Sequence, residues 1–167
     1  DKIVLKRLDE LFEKYEIDTI VIGMPLNMDG SATFRVEATN KFIHKLKCKF
    51  NKIKIEEILR KAGIPFEEEY SFPDLYSSNG RPLRFDFAVF DDDDNLLFLI
   101  EYQGIQHYQA KSKFGGNSGL KKQQYNDMLK REYCRKNNII LIAIPYTDTH
   151  NINYDYIMNS YYALGGF

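Results

Sequence analysis

Hydrophobic residues recur along this chain with two distinct periods. In RFDFAVF (84–90) every second residue is apolar, so Phe85, Phe87 and Val89 are expected on one strand face and Asp86 on the other. LLFLIEYQ (96–103) carries Leu97, Leu99, Glu101 and Gln103 at the same two-residue step, with DDDDN (91–95) as a tight, solvated hairpin turn between the runs. That turn lacks the glycine and distal glutamate of a calcium loop. Elsewhere the step is helical: Leu5, Leu8, Leu11 and Phe12 predict a helix over 2–15, and Val36, Phe42, Ile43 and Leu46 a second over 33–49. A third helix is predicted over 52–62, ended by Gly63.

The remaining segments complete an alternating pattern. TIVIG (19–23) reads as a buried strand followed by a turn-rich loop, PLNMDGS (25–31). IPFEEEYSF (64–72) reads as a strand, 73–82 as a loop, 120–137 as a long helix, IILIAIPY (139–146) as a strand buried on both faces, and 152–163 as a closing helix. The order helix, three strands, helix, strand, helix from residue 52 defines an α/β class, a mixed sheet with flanking helices. The first fifty residues form a helix–strand–helix fragment too small for a sheet of its own. Two domains are therefore expected, 1–50 and 51–167.

Composition narrows the classes. With 44% hydrophobic and 28% charged residues the chain has globular composition, which excludes a disordered protein. A formal charge of −1 decides nothing about nucleic acid, but lysines gather at 111–122 and 130–136 while acids gather at 67–69 and 91–94. Two cysteines, Cys48 and Cys134, without CxxC spacing argue against a disulfide framework or structural zinc and fit a reducing cytoplasm. No apolar run reaches membrane-spanning length, and the opening residues are not a secretory signal.

An acid inside an apolar strand is costly unless it is paired, protonated or metal-bound. Asp86 and Glu101 on neighbouring strands, with Gln103 and His107 close behind, suggest a site for a divalent cation. Mg²⁺, or Mn²⁺ in its place, takes hard oxygen ligands, activates water and neutralises charge on a cleaved phosphate. The unperturbed pKa of histidine lies near neutrality, which suits His107 to proton transfer. On the 120–137 helix, Tyr125, Met128, Leu129 and Tyr133 make an apolar stripe suited to the sheet. Gln123, Asp127, Lys130 and Cys134 make a second stripe, either a solvated face or the rim of the metal site. Lys111, Lys113, Lys121, Lys122, Gln123, Lys130 and Arg131 are the candidate contacts to a nucleic-acid backbone.

FPDL, GRPLRFDFAVFD, IEYQGIQHYQ, FGG and QQYNDMLKREYCRKNNI, in that order, resemble homing-type and phage-encoded endonucleases with a PD-(D/E)XK core, in the EDxHD branch related to very-short-patch repair enzymes. The resemblance spans roughly 52–160 and implies a restriction-endonuclease-like core. It makes Asp86, Glu101 and Gln103 the metal-holding residues and His107 the motif histidine. It also implies double-stranded DNA as substrate, with a homodimer if one site per chain is to cut both strands. Such proteins carry a glutamate early in the first helix of the core. Lys52 stands there in this chain, and Glu56, one turn on, is the candidate replacement.

IDTIVIGMPLNMDGSATFRVEATNKFIHKLK resembles the middle of YqgF/RuvX-type Holliday-junction resolvases of RNase-H-like fold, over about residues 5–50. The opening strand with the catalytic Asp and the later acidic motifs of that family are absent, so the resemblance implies an incomplete RNase-H-type site. The expected function is a Mg²⁺-dependent DNA endonuclease. The alternatives are a nucleic-acid-binding protein with an impaired nuclease fold and a junction-resolvase-like protein.

Overall fold

The computed structural model describes residues 2–15, 17, 19–27, 29, 34–104, 108 and 116–167. Its elements are α1 (Lys2–Lys14), α2 (Phe34–Lys61), β1 (Phe66–Tyr76), β2 (Pro82–Phe90), β3 (Leu96–Gln103), α3 (Gly116–Lys136), β4 (Ile140–Pro145) and α4 (Tyr154–Ala163), with a 3-10 turn at Tyr146–Asn151. The chain divides into two compact units, Asp1–Phe50 and Asn51–Phe167.

Two expectations for the first unit are corrected. Residues 19–23 do not form a strand. Val21 is 90% exposed, and no described strand pairs with this stretch. A lone extended segment has nowhere to place its backbone N–H and C=O groups except water, so its apolar character alone does not make a strand. The helices predicted over 33–49 and 52–62 are one, α2. Nothing between Phe34 and Lys61 is glycine or proline, so helix propagation meets no barrier until Gly63. There the chain enters the left-handed region at φ +69, and the N–H groups of Gly63 and Ile64 close back on the carbonyls of Arg60 and Leu59 at 3.1 Å each. This is a Schellman ending that needs a residue without Cβ.

The second unit is α/β, as its pattern predicts. Its four-stranded mixed sheet has the order β1-β2-β3-β4, with the first three strands antiparallel and β4 parallel to β3. The β2–β3 connection is the solvated turn expected: Asp91 Oδ1 accepts the N–H groups of Asp93 (3.0 Å) and Asn95 (2.8 Å). α4 is capped by Asn153, whose side chain accepts from the Tyr156 N–H at 2.8 Å. β1 continues to Tyr76, past the predicted strand end, through a break in register between Ser71 and Tyr76.

Two adjacent residues of β3 establish which helix lies on which face. Tyr102 receives a hydrogen bond from Asn51 of α2 at 2.8 Å, whereas Glu101 receives one from Lys130 of α3 at 2.6 Å. Successive strand side chains point to opposite faces, so the Asn51–Lys61 part of α2 and α3 cover opposite sides of the sheet. On the α3 side Leu75, Leu83, Phe85, Ala88, Leu99 and Cys134 form a buried cluster. On the α2 side lie Phe87, Phe98 and Ile100. The Phe98 ring sits 4.8 Å from Tyr161 of α4, and Phe87 meets Phe66 edge-on at 5.9 Å.

Strict alternation fails at one place in β2. Phe85 was expected to share a face with Phe87, yet it joins the α3-side cluster, where its ring meets Phe72 and lies under Lys130. The local cause is an irregularity on both flanks of Asp86. Glu69, opposite it on β1, has φ +51, and the paired β2–β3 register ends at Phe87↔Ile100.

Truncating Phe87, which is 1% exposed, should cost about 3–5 kcal/mol in urea unfolding of Phe87→Ala, because the aromatic contact with Phe66 is lost as well as the buried volume. Alkaline pH should also unfold the chain. Burial pushes the Cys134 thiol from 9.0 up to about 11, and burial with a hydrogen bond to Asp148 pushes Tyr156 from 10.0 up to about 12. The folded state therefore holds protons that the unfolded chain releases, and stability falls as pH rises from about 9 to 12. Melting temperatures across that window should drop, and Cys134→Ala should delay the onset.

Candidate functional site

Among the described residues of the second unit six polar or charged side chains are buried: Asn51, Asp86, Glu101, Gln103, Asp127 and Lys130 are 2%, 8%, 7%, 4%, 6% and 7% exposed. Asp86 sits where the β2–β3 ladder stops. Its carboxylate takes over from the backbone there, with Oδ2 accepting the Tyr102 N–H at 2.8 Å. Its Oδ1 lies 2.5 Å from the Lys52 ammonium, which also reaches Glu69 at 3.2 Å. Burial alone would lower the Lys52 pKa, but the charges and hydrogen bonds of Asp86 and then Glu69 outweigh it and hold the ammonium above its ordinary range.

Glu101 faces the opposite helix. Its Oε1 is 2.6 Å from Lys130, and the same ammonium stands 5.2 Å from the centre of the Phe85 ring. Gln103, one step further along the same strand face, accepts a hydrogen bond from the Tyr108 hydroxyl at 2.6 Å. Gln123 and Asp127 bond to each other across one turn of α3 at 3.1 Å. The two acids expected to grip one cation thus each draw a lysine, from helices on opposite faces.

The face of α3 that turns inward draws on both stripes: Leu129 and Tyr133 of the apolar stripe pack against the sheet-side cluster, with the Tyr133 ring 4.8 Å from Phe72. Asp127, Lys130 and Cys134 are buried, whereas Tyr125 and Met128 of the apolar stripe are 46% and 42% exposed. Glu56 is turned to Arg60 at 2.5 Å. Lys121, Lys122 and Arg131 are exposed on α3. His107, Lys111 and Lys113 lie outside the described residues. Sequence reasoning missed Glu69, whose only signal was a position opposite Asp86. It also missed the buried Asn51 and Tyr102 with the half-buried Thr149, in which the Tyr102 hydroxyl meets Asn51 at 2.8 Å and Thr149 at 3.1 Å. The alternation that put Glu101 and Gln103 on one face put the Tyr102 hydroxyl on the other, where a buried hydroxyl requires partners.

The donor types suit a hard divalent cation only in part. Glu101 and Gln103 offer a carboxylate and an amide oxygen on one face of β3. Each of the three expected ligands already holds a partner: Asp86 the Lys52 ammonium and the Tyr102 N–H, Glu101 the Lys130 ammonium, and Gln103 the Tyr108 hydroxyl. Among the described residues no three His, Cys, Asp or Glu side chains gather as a metal-binding group.

Residues 1–59 match the family model described as RuvX: Holliday junction resolvase, in agreement with the resemblance seen at 5–50. The chain is 37% identical over 109 residues, 55% of each chain, to uncharacterized protein 307L of Invertebrate iridescent virus 6. It is 52% identical over 55 residues to uncharacterized protein 094L of Frog virus 3 (isolate Goorha), covering 32% of this chain and 36% of that one. It is 47% identical over 47 residues to the "Putative pre-16S rRNA nuclease" of Geobacillus sp. (strain WCH70), covering 28% and 34%. The chain thus spans about half the length, or less, of these curated relatives. No solved structure matches. No described helix is long and apolar enough to cross a membrane.

Replacing Lys130 by Met should destabilise the second unit by about 3–5 kcal/mol, since Glu101 would stay buried without its cation. Adding Glu101→Gln should return part of that loss. A double-mutant cycle in urea would show no coupling between the two sites if the pair carried no weight.

Proposed function

We propose that the chain is a nuclease that hydrolyses phosphodiester bonds in DNA with Mg²⁺ or Mn²⁺, its centre lying at the end of the β2–β3 ladder in a PD-(D/E)XK-like domain, 51–167. The observation that carries this reading is the burial of Asp86, Glu101, Gln103 and Lys130 around adjacent strands, an expensive arrangement for side chains that only fold the chain. The RuvX match over residues 1–59 and the relatives named as pre-16S rRNA nucleases support a nucleic acid as the substrate.

Glu101 and Gln103 would hold the ion. When bound, a divalent cation lowers the pKa of a coordinated water and neutralises charge on the phosphate. The chain's own groups do the rest. Lys130 fixes the Glu101 carboxylate, the Tyr108 hydroxyl fixes Gln103, and exposed Lys121, Lys122 and Arg131 lie on the surface of α3 where a phosphate backbone would be held. His107 is the proposed proton-transfer group. Glu56, engaged with Arg60, is left without a catalytic role in this reading.

Supercoiled plasmid with Mg²⁺ is the direct test. The protein should nick it, and Glu101→Gln should reduce cleavage to the level of protein-free plasmid while the melting curve stays cooperative. Equal absence of cleavage in both proteins, with DNA binding that weakens as salt rises, would favour the second reading, a nucleic-acid-binding protein with an impaired centre. That reading draws on one observation, the Lys52 ammonium seated on Asp86.

A further inference from the structure

The geometry points to Lys52 as the resident cation of Asp86: its ammonium fills a place that would otherwise attract a divalent ion, and Glu69 holds it there. This rests on the nuclease reading only for its meaning in turnover, where it leaves Asp86 outside the metal centre and Glu101 and Gln103 as the residues that would hold a single ion.

Three features build the position. Asp86 is oriented by the Tyr102 N–H, which its Oδ2 accepts at 2.8 Å, so Oδ1 is turned to Lys52 of α2. Lys52 is brought to it by its chain neighbour. Asn51 donates to the Tyr102 hydroxyl, which sets α2 against the very residue whose backbone anchors Asp86. Glu69 closes the arrangement from the edge strand. The pairs Glu68↔Phe87 and Tyr70↔Phe85 put it opposite Asp86 across β1–β2, and its backbone takes a left-handed φ of +51 that a glutamate adopts only at a cost. The outcome is one ammonium between two carboxylates, at 2.5 Å and 3.2 Å, with two of its three donors used.

With lysine present, Asp86 and Glu69 are neutralised in part and a divalent ion on Asp86 meets like charge a few ångström away. With glutamate at position 52, three carboxylates would face one another without a cation. Hard oxygen ligands without a counter-charge are what Mn²⁺ or Mg²⁺ binds.

Mn²⁺ binding to the whole chain, counted by the loss of the free-ion electron paramagnetic resonance signal, separates this inference from the nuclease reading. The wild-type count tests the nuclease reading, which requires one ion and is sunk by none. The difference between Lys52→Glu and wild type tests Lys52: the variant should take one ion more per chain, whatever the starting count. Adding Asp86→Asn to Lys52→Glu should return the count to that of wild type. Lys52→Gln, which keeps a neutral side chain of similar length, guards against misfolding and should show the added ion at higher Mn²⁺ concentration, whereas Lys52→Arg should add none. An unchanged count in folded Lys52→Glu and Lys52→Gln overturns the assignment, as does a second ion already present in the wild type.

Discussion

The ion pair between Lys130 and Glu101 is the constraint around which the second unit is organised. A long, flexible lysine and a strand carboxylate are both withdrawn from water, and neither is tolerable there without the other. Once Lys130 points inward, the face of α3 toward the sheet must include Asp127 and Cys134, and Tyr125 and Met128 are turned outward. Phe85 completes the fit by laying its ring against the ammonium, and that requires β2 to abandon strict alternation next to Asp86. One polar contact therefore sets the rotation of a helix and the local shape of a strand.

Most of the second unit was legible because its signals are redundant. β2 and β3 alternate, β4 is a continuous apolar run, and Gly63 marks a helix end by a mechanism that needs no tertiary partner. The first unit was less legible for the converse reason. TIVIG has strand composition, but a strand exists only through neighbours, and none of the described residues supplies one. The break imagined between residues 49 and 52 rested on a change in pattern, while helix continuity depends on the absence of a breaker.

Within the site, which residues are buried was readable and whom they touch was not. Asp86, Glu101 and Gln103 follow from strand period alone. Their partners come from α2 and α3, separated from them by tens of residues, and the choice of Lys52 for one acid and Lys130 for the other depends on how two helices cover two faces. Glu69 was hidden among three consecutive glutamates, of which only the one opposite Asp86 matters. The burial of Asp127 and Lys130 on α3, beside Leu129 and Tyr133, likewise runs against hydrophobic patterning, the rule by which helix faces are ordinarily assigned.

The outer strands of the sheet have a bearing on self-association. β1, at one border, carries three glutamates in succession with a backbone kink among them, and β4, at the other, ends in Pro145, which has no N–H to offer. Neither border is an inviting template for a strand of a second molecule. A dimer of this chain would have to be assembled through helices or loops, with each sheet remaining four strands wide.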